Sequence, residues 1–185
     1  MRIISGQKRG TRLVAPPGLH TRPTADRVKE SVFSTLQFEI CGRLVLDGFA
    51  GSGALGLEAL SRGARKAYFV ENDPKALRAV EQNIRKTGFG DAAVLIRQEL
   101  IRWLSGYKDE PFDLVFLDPP YGRELEVPAI RLLLERRLVR SGGRIVVETS
   151  AAEQCSGLEE LIVLTKRATY GNTAVCFYTV PDGEE

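Results

Sequence analysis

The sequence predicts an α/β fold on a mostly parallel sheet, ending in an antiparallel hairpin and preceded by a small N-terminal extension. Three observations predict it. After Gly42, short apolar runs alternate with amphipathic segments, as parallel strands and their crossover helices do. A glycine-rich turn, Gly48 to Gly56, lies where the first strand becomes a helix. Two strand-like runs within 161–179 flank Tyr170-Gly171-Asn172, a turn that favours antiparallel pairing.

Taken in order, residues 2–5 and 11–15 are apolar-rich runs around the polar turn 6–10, which predicts a small hairpin. Pro16, Pro17, Gly18 and Pro23 keep the next stretch irregular. Val28, Val32, Phe33 and Leu36 then recur at near-helical spacing, predicting a helix over 25–38 with Thr24 as N-cap and Asp26 in its first turn. Strands are expected at 44–48, 67–71, 93–97, 112–117 and 144–149, with helices at 54–62, 74–87, 99–105 and 127–139. The helix over 74–87 is best marked: Asp73 can cap it, Pro74 suits its first position and Gly88 its stop. No repeat or linker divides the chain. A single domain over 1–185 is expected, with a basic hairpin and helix in 1–40 and the core in 41–185.

The chain has 185 residues, 43% apolar and 27% charged, enough to bury a core without disulfides. Cys41, Cys155 and Cys176 are far apart, form no CxxC pair and have only His20 to join them; no metal site and a reducing compartment are expected. No apolar run approaches a membrane span of roughly 18 residues, and the first ten residues lack a signal peptide's hydrophobic stretch. The expectation is a cytoplasmic protein with no membrane partner. Net charge is only +2, yet residues 1–31 carry +5 and the remainder −3. Such asymmetry is the footprint of a phosphate-binding arm, and also of a merely solvated N-terminus.

In the glycine turn, Gly51, Gly53 and Gly56 satisfy GxGxxG. An ATP P-loop would need a lysine followed by Ser or Thr, which is missing. A dinucleotide site uses this spacing for the pyrophosphate and an acidic residue about 20 positions on for the ribose, a role open to Glu71. S-adenosylmethionine uses the same corner without any phosphate. Asp47, just before the turn, favours it, because a carboxylate there repels a pyrophosphate but suits a cationic methionine end. A purely structural turn also remains open at this point.

Phe116-Leu117-Asp118-Pro119-Pro120-Tyr121 ends the fourth expected strand, at the edge where open α/β sheets bind ligands. A Walker B strand would read similarly but has no P-loop partner here. Two prolines fix φ and remove two N–H donors, so the edge presents acceptors: the Asp118 carboxylate and the Pro119 carbonyl. Acceptors there suit an exocyclic amine, and Tyr121 offers a flat face for a base, a stack worth about 1–3 kcal/mol. Together the two motifs imply methyl transfer to an amino nitrogen.

With MRIISGQKRGTRL, RPTADRVKESVF, DGFAGSGALGLEALSRGA, FVENDPKA, FLDPPYG and TYGNTAV, the chain resembles the RsmD family of 16S ribosomal RNA guanine-N2 methyltransferases along nearly its whole length. The resemblance implies a Rossmann-like methyltransferase fold, S-adenosylmethionine as donor, and a guanine of the small ribosomal subunit or its assembly intermediate as target, with the protein acting as a monomer. It places Asp47, Phe49, Gly51, Gly53, Glu71 and Asn72 at the donor, with Glu71 on its ribose. Asp118, Pro119 and Tyr121 would hold the base. Glu99 falls where such enzymes often carry an aspartate near the adenine. A guanine inside folded RNA must be splayed out at a cost of a few kcal/mol, which phosphate contacts offset; Arg9, Arg12, Arg22 and Arg27 are the candidates.

Overall fold

The computed structural model describes residues 1–17, 23–120, 122, 125–153 and 157–182, with 23–25 as backbone only. Arg22, His20, Tyr121 and Cys155 therefore lie outside the described residues. The elements in order are α1 (Pro23–Thr35), β1 (Leu44–Asp47), α2 (Ala54–Ser61), β2 (Lys66–Glu71), α3 (Pro74–Thr87), β3 (Ala93–Arg97), α4 (Leu100–Gly106), β4 (Phe112–Leu117), α5 (Glu126–Glu135), β5 (Val139–Ser150), β6 (Val163–Tyr170) and β7 (Thr173–Thr179). They form one seven-stranded sheet in the order β3-β2-β1-β4-β5-β7-β6. Strands β1 to β5 run parallel, and β7 is antiparallel to both β5 and β6.

Strands β1 and β4 are central and carry near-continuous apolar side chains because both faces are covered. One apolar layer joins Ile3, Leu13, Phe33 and Leu57 to Val45 and Phe116; the other joins Leu100, Leu104, Ile130 and Leu133 to Leu46 and Val147. Helices α1, α2 and α3 thus share one face of the sheet, and α4 and α5 the other. The strand order reverses between β1 and β4, which places the crevice at their carboxyl ends.

Helix α3 matches its expected bounds, and Asp73 accepts from the Lys75 and Ala76 N–H groups at 2.8 and 2.9 Å. Two expectations are corrected. Helix α1 begins at Pro23, so Thr24 lies inside the helix instead of capping it, and the helix stops at Thr35. Helix α5 ends at Glu135, because Arg137 takes a φ of 52° and Val139 pairs with Phe112 as the start of a longer β5. The expected N-terminal hairpin is present but short, with one antiparallel bridge, Arg2 to Arg12, and the Ile3 and Leu13 N–H groups donating to the Thr11 and Met1 carbonyls at 3.0 and 3.1 Å. The Ile4 and Ser5 N–H groups donate to the Glu58 carboxylate instead of continuing a ladder. No helix among the described residues is long and apolar enough to cross a membrane.

Candidate active site

Strand β1 delivers the chain to the glycine turn. Gly51 has φ +55°, and a Cβ there would meet nothing nearer than the Phe49 carbonyl at 4.0 Å. The turn therefore leaves an open backbone face that a ligand can approach. Gly53, at φ +77°, starts α2, and a Cβ there would stand 2.7 Å from Val80, so conformation and close packing both require glycine.

Glu71 ends β2 and accepts from the Gly51, Asn72 and Asp73 N–H groups, each at 2.8 Å. Its carboxylate is the strut of the turn. A carboxylate offers about four lone-pair sites, so a ribose hydroxyl can still be accepted. Asp47 is 2% exposed and accepts from the Gly56 N–H at 2.9 Å. Burial pushes its pKa up to about 7, the Gly56 N–H restrains the rise, and the Glu71 charge adds to it. Asn72 is exposed and Phe49 half-buried against the α4 and α5 layer. Glu99 caps α4, with one oxygen on the Ile101 N–H at 2.9 Å and the other on the Arg102 N–H at 2.8 Å.

Asp118 follows β4 directly and opens onto a cleft lined by Val28, Lys29, Val32, Leu55, Phe116 and Glu148, among others. Pro119 is buried and Pro120 exposed. Leu117 pairs with Val147 in the parallel register, so Asp118 and Glu148 are the next residues on neighbouring strands. Phe116 and Val146 face the α1 layer, and the alternation of strand residues puts Asp118 and Glu148 on that same side. Desolvation, then the charges of Glu148 and Asp47, hold the Asp118 carboxyl well above the usual carboxylate range. The residue keeps open surface, so the desolvation comes from the crowding walls of the cleft and not from closure over it.

One wall is the N-terminal extension. Phe33 of α1 lies 5.5 Å from Phe116, ring centre to ring centre, and each such buried ring contributes about 1.5–3 kcal/mol. Glu58, fully buried, meets Arg62 at 2.9 Å and Lys29 at 3.4 Å. Lys29 also donates to the Arg2 carbonyl, while desolvation lowers its pKa against the pull of Glu58. Lys29 is thus an internal cation and does not add to the basic surface that the sequence charge suggested. Arg9, Arg12 and Arg27 are exposed.

The family model described as conserved hypothetical protein 95 matches residues 1–179. Ribosomal RNA small subunit methyltransferase D of Escherichia coli is 40% identical over 149 residues, covering 80% of this chain and 74% of that protein. The YlbH protein of Bacillus subtilis is 38% identical over 180 residues, covering 96% and 98%. Among solved structures, the yhhF protein of Escherichia coli gives a TM-score of 0.85 at 35% identity over 99% of both chains.

The chain belongs to the RsmD family of methyltransferases. Its sheet, with the parallel strands and the terminal hairpin, is the Rossmann-like methyltransferase fold of its structural neighbours. The structure gathers Asp47, Gly51, Gly53 and Glu71 at one corner and Asp118 with Pro119 beside it. Glu99 serves α4 with both oxygens. Glu148 and Glu58 escaped the sequence reading. Glu148 had only its place at the end of an expected strand to mark it. Glu58 was an unremarkable charge on a helix, and its backbone partners, the Ile4 and Ser5 N–H groups, are more than 50 positions away.

Proposed function

We propose that this protein transfers a methyl group from S-adenosylmethionine to the exocyclic N2 of a guanine in 16S ribosomal RNA of the small subunit, acting as a cytoplasmic monomer. The observation that carries the reading is the Asp118-Pro119-Pro120 edge: two acceptors without neighbouring proline N–H donors, at the switch point beside the glycine turn. Asp118 and Glu148 line the cleft, with Glu71 and the buried Asp47 at the glycine turn, an acidic set that suits a cationic donor and opposes a pyrophosphate. When bound, S-adenosylmethionine supplies a methyl already made electrophilic by a sulfonium sulfur.

Gly51 gives the donor an open backbone face, Gly53 lets the turn pack closely on Val80, and Glu71 keeps acceptor capacity for the donor's ribose. Asp118 and the Pro119 carbonyl accept the two N–H groups of the base amine. That makes the nitrogen more pyramidal and aims its lone pair, while positioning supplies up to about 7–11 kcal/mol of the barrier reduction. Once methylated, the nitrogen is strongly acidic and can lose its proton to Asp118 or to water. Tyr121 is assigned to stacking on the base, and Arg9, Arg12, Arg22 and Arg27 to the phosphates.

The test is to incubate small subunits from cells lacking the gene with the protein and methyl-labelled S-adenosylmethionine, then digest the RNA to nucleosides. Labelled N2-methylguanosine is expected. Labelled N6-methyladenosine would move the protein to the adenine-modifying enzymes that share the Asp-Pro-Pro-Tyr run, and no labelled nucleoside would favour a ribosome-binding protein without this activity.

A further inference from the structure

The cleft beside Asp118 is apolar along its floor and acidic at its rim. Val28, Val32, Phe116, Val146 and Val175 line it, and Asp118 and Glu148 stand side by side where β4 and β5 end. Apolar walls suit the faces of a flat ring, and two carboxylates suit two adjacent donors. Purines differ on that edge. Guanine presents N1–H beside its N2 amine, two adjacent donors, whereas adenine and 2-aminopurine present a bare N1 acceptor. A carboxylate next to the one that holds the amine therefore attracts guanine and repels a purine with an unprotonated N1. The lysine in the cleft does not reverse this, since Lys29 is turned to Glu58 and the Arg2 carbonyl.

We propose that Glu148 selects guanine by accepting its N1–H while Asp118 and the Pro119 carbonyl hold N2. This deepens the proposed function and rests on it. Glu148 lies on a strand whose register with β4 and β7 is continuous over Arg144 to Val147 and Arg144 to Ser150. Its carboxylate is thus set by regular sheet and not by a loop. Specificity would come from a rigid position, as base readout by paired hydrogen bonds requires.

The test compares small subunits carrying guanosine with subunits carrying 2-aminopurine riboside at the position the protein labels. 2-Aminopurine keeps the accepting amine but has no N1–H. The wild-type protein should methylate guanosine at least roughly tenfold better in kcat/KM, the discrimination of one good hydrogen-bonded base contact. Glu148→Gln keeps the shape and adds an amide N–H that can turn to a bare N1, so the preference should shrink about tenfold or more, mostly through a gain on 2-aminopurine. S-adenosylmethionine affinity and melting temperature, measured on the same preparation, report folding.

A wild-type protein that uses both purines equally would overturn the assignment, as would a Glu148→Gln variant with the parent preference. Because 2-aminopurine lacks O6 as well as N1–H, the change on substitution assigns the contact; if Glu148→Gln does not fold, Glu148→Ala is read in its place and should likewise lose the preference. Absence of any N2-methylguanosine from the wild-type reaction would instead overturn the proposed function.

Discussion

The two halves of the crevice use carboxylates in opposite ways. On the donor half, the carboxylates of Glu71, Asp47 and Glu99 are tied to backbone N–H groups at 2.8 to 2.9 Å. On the acceptor half, the influences on Asp118 are crowding and the like charges of Glu148 and Asp47. The donor half is therefore finished before any ligand arrives. The acceptor half sets Asp118 beside Glu148, an arrangement that suits a ligand rich in N–H groups. The difference teaches that charge alone does not locate chemistry at this sheet edge, because most of the acidic residues there hold the backbone in shape.

Substitution of Asp118 gives the largest expected break in that contrast. Asp118→Ala should lower single-turnover methyl transfer by roughly a hundred- to a thousandfold, the usual cost of removing one preorganised group that acts mainly in the transition state. A rate within fivefold of the parent would remove Asp118 from the chemistry. On the donor half, Glu71→Ala takes away the proposed ribose acceptor together with the strut for Gly51, Asn72 and Asp73. Calorimetry should show S-adenosylmethionine affinity reduced about tenfold or more, because hydrogen bonds to a charged group contribute about 1.5–3 kcal/mol each. Unchanged affinity with a lower melting temperature would leave Glu71 as a strut alone.

The exposed arginines sharpen the comparison from outside the crevice. Replacing Arg9, Arg12 and Arg27 by glutamine should flatten the log-log salt dependence of RNA binding by about 0.7 to 0.9 for each phosphate that is no longer neutralised. Donor affinity should stay unchanged. An unaltered salt slope would place the docking surface elsewhere.

The smallest effect is expected at Asp47. Its carboxyl titrates near 7 in the folded protein against 3.8 ordinarily, so the fold favours its protonated form. The stability this confers is full below about pH 4 and is lost as the pH rises through about 7. Asp47→Asn keeps an acceptor for the Gly56 N–H and removes the buried charge. It should raise the melting temperature at pH 8 by a few degrees, at about 2–4 °C per kcal/mol for a chain of this size, and should flatten the fall between about pH 4 and 7. A melting temperature lowered at pH 8 would contradict this reading.

Much of this was legible in the sequence where local rules decide. The Asp73, Pro74 and Gly88 signals fixed α3, and the apolar run 112–117 read as β4 because a central parallel strand has no solvent face. The glycine turn and the Asp118 run were legible because each concentrates residues with special backbone behaviour. What sequence could not show depends on distant pairing. The Glu58 carboxylate that draws Ile4 and Ser5 out of the hairpin ladder is a helical residue more than 50 positions away. The end of α5 was hidden for a similar reason, since Leu138 and Val139 have helical spacing but are claimed by Phe112. Glu148 gained its meaning only when the register placed it beside Asp118.

The measurement that tests the contrast most directly is calorimetric titration of S-adenosylmethionine into the Asp118→Ala and Glu71→Ala proteins side by side. Asp118→Ala should bind within about fivefold of the parent, since a neighbouring charge in a solvent-open cleft contributes at most about 1 kcal/mol, while Glu71→Ala loses about tenfold or more. Equal losses in the two variants, or a greater loss in Asp118→Ala, would contradict the division of the crevice into a donor half and an acceptor half.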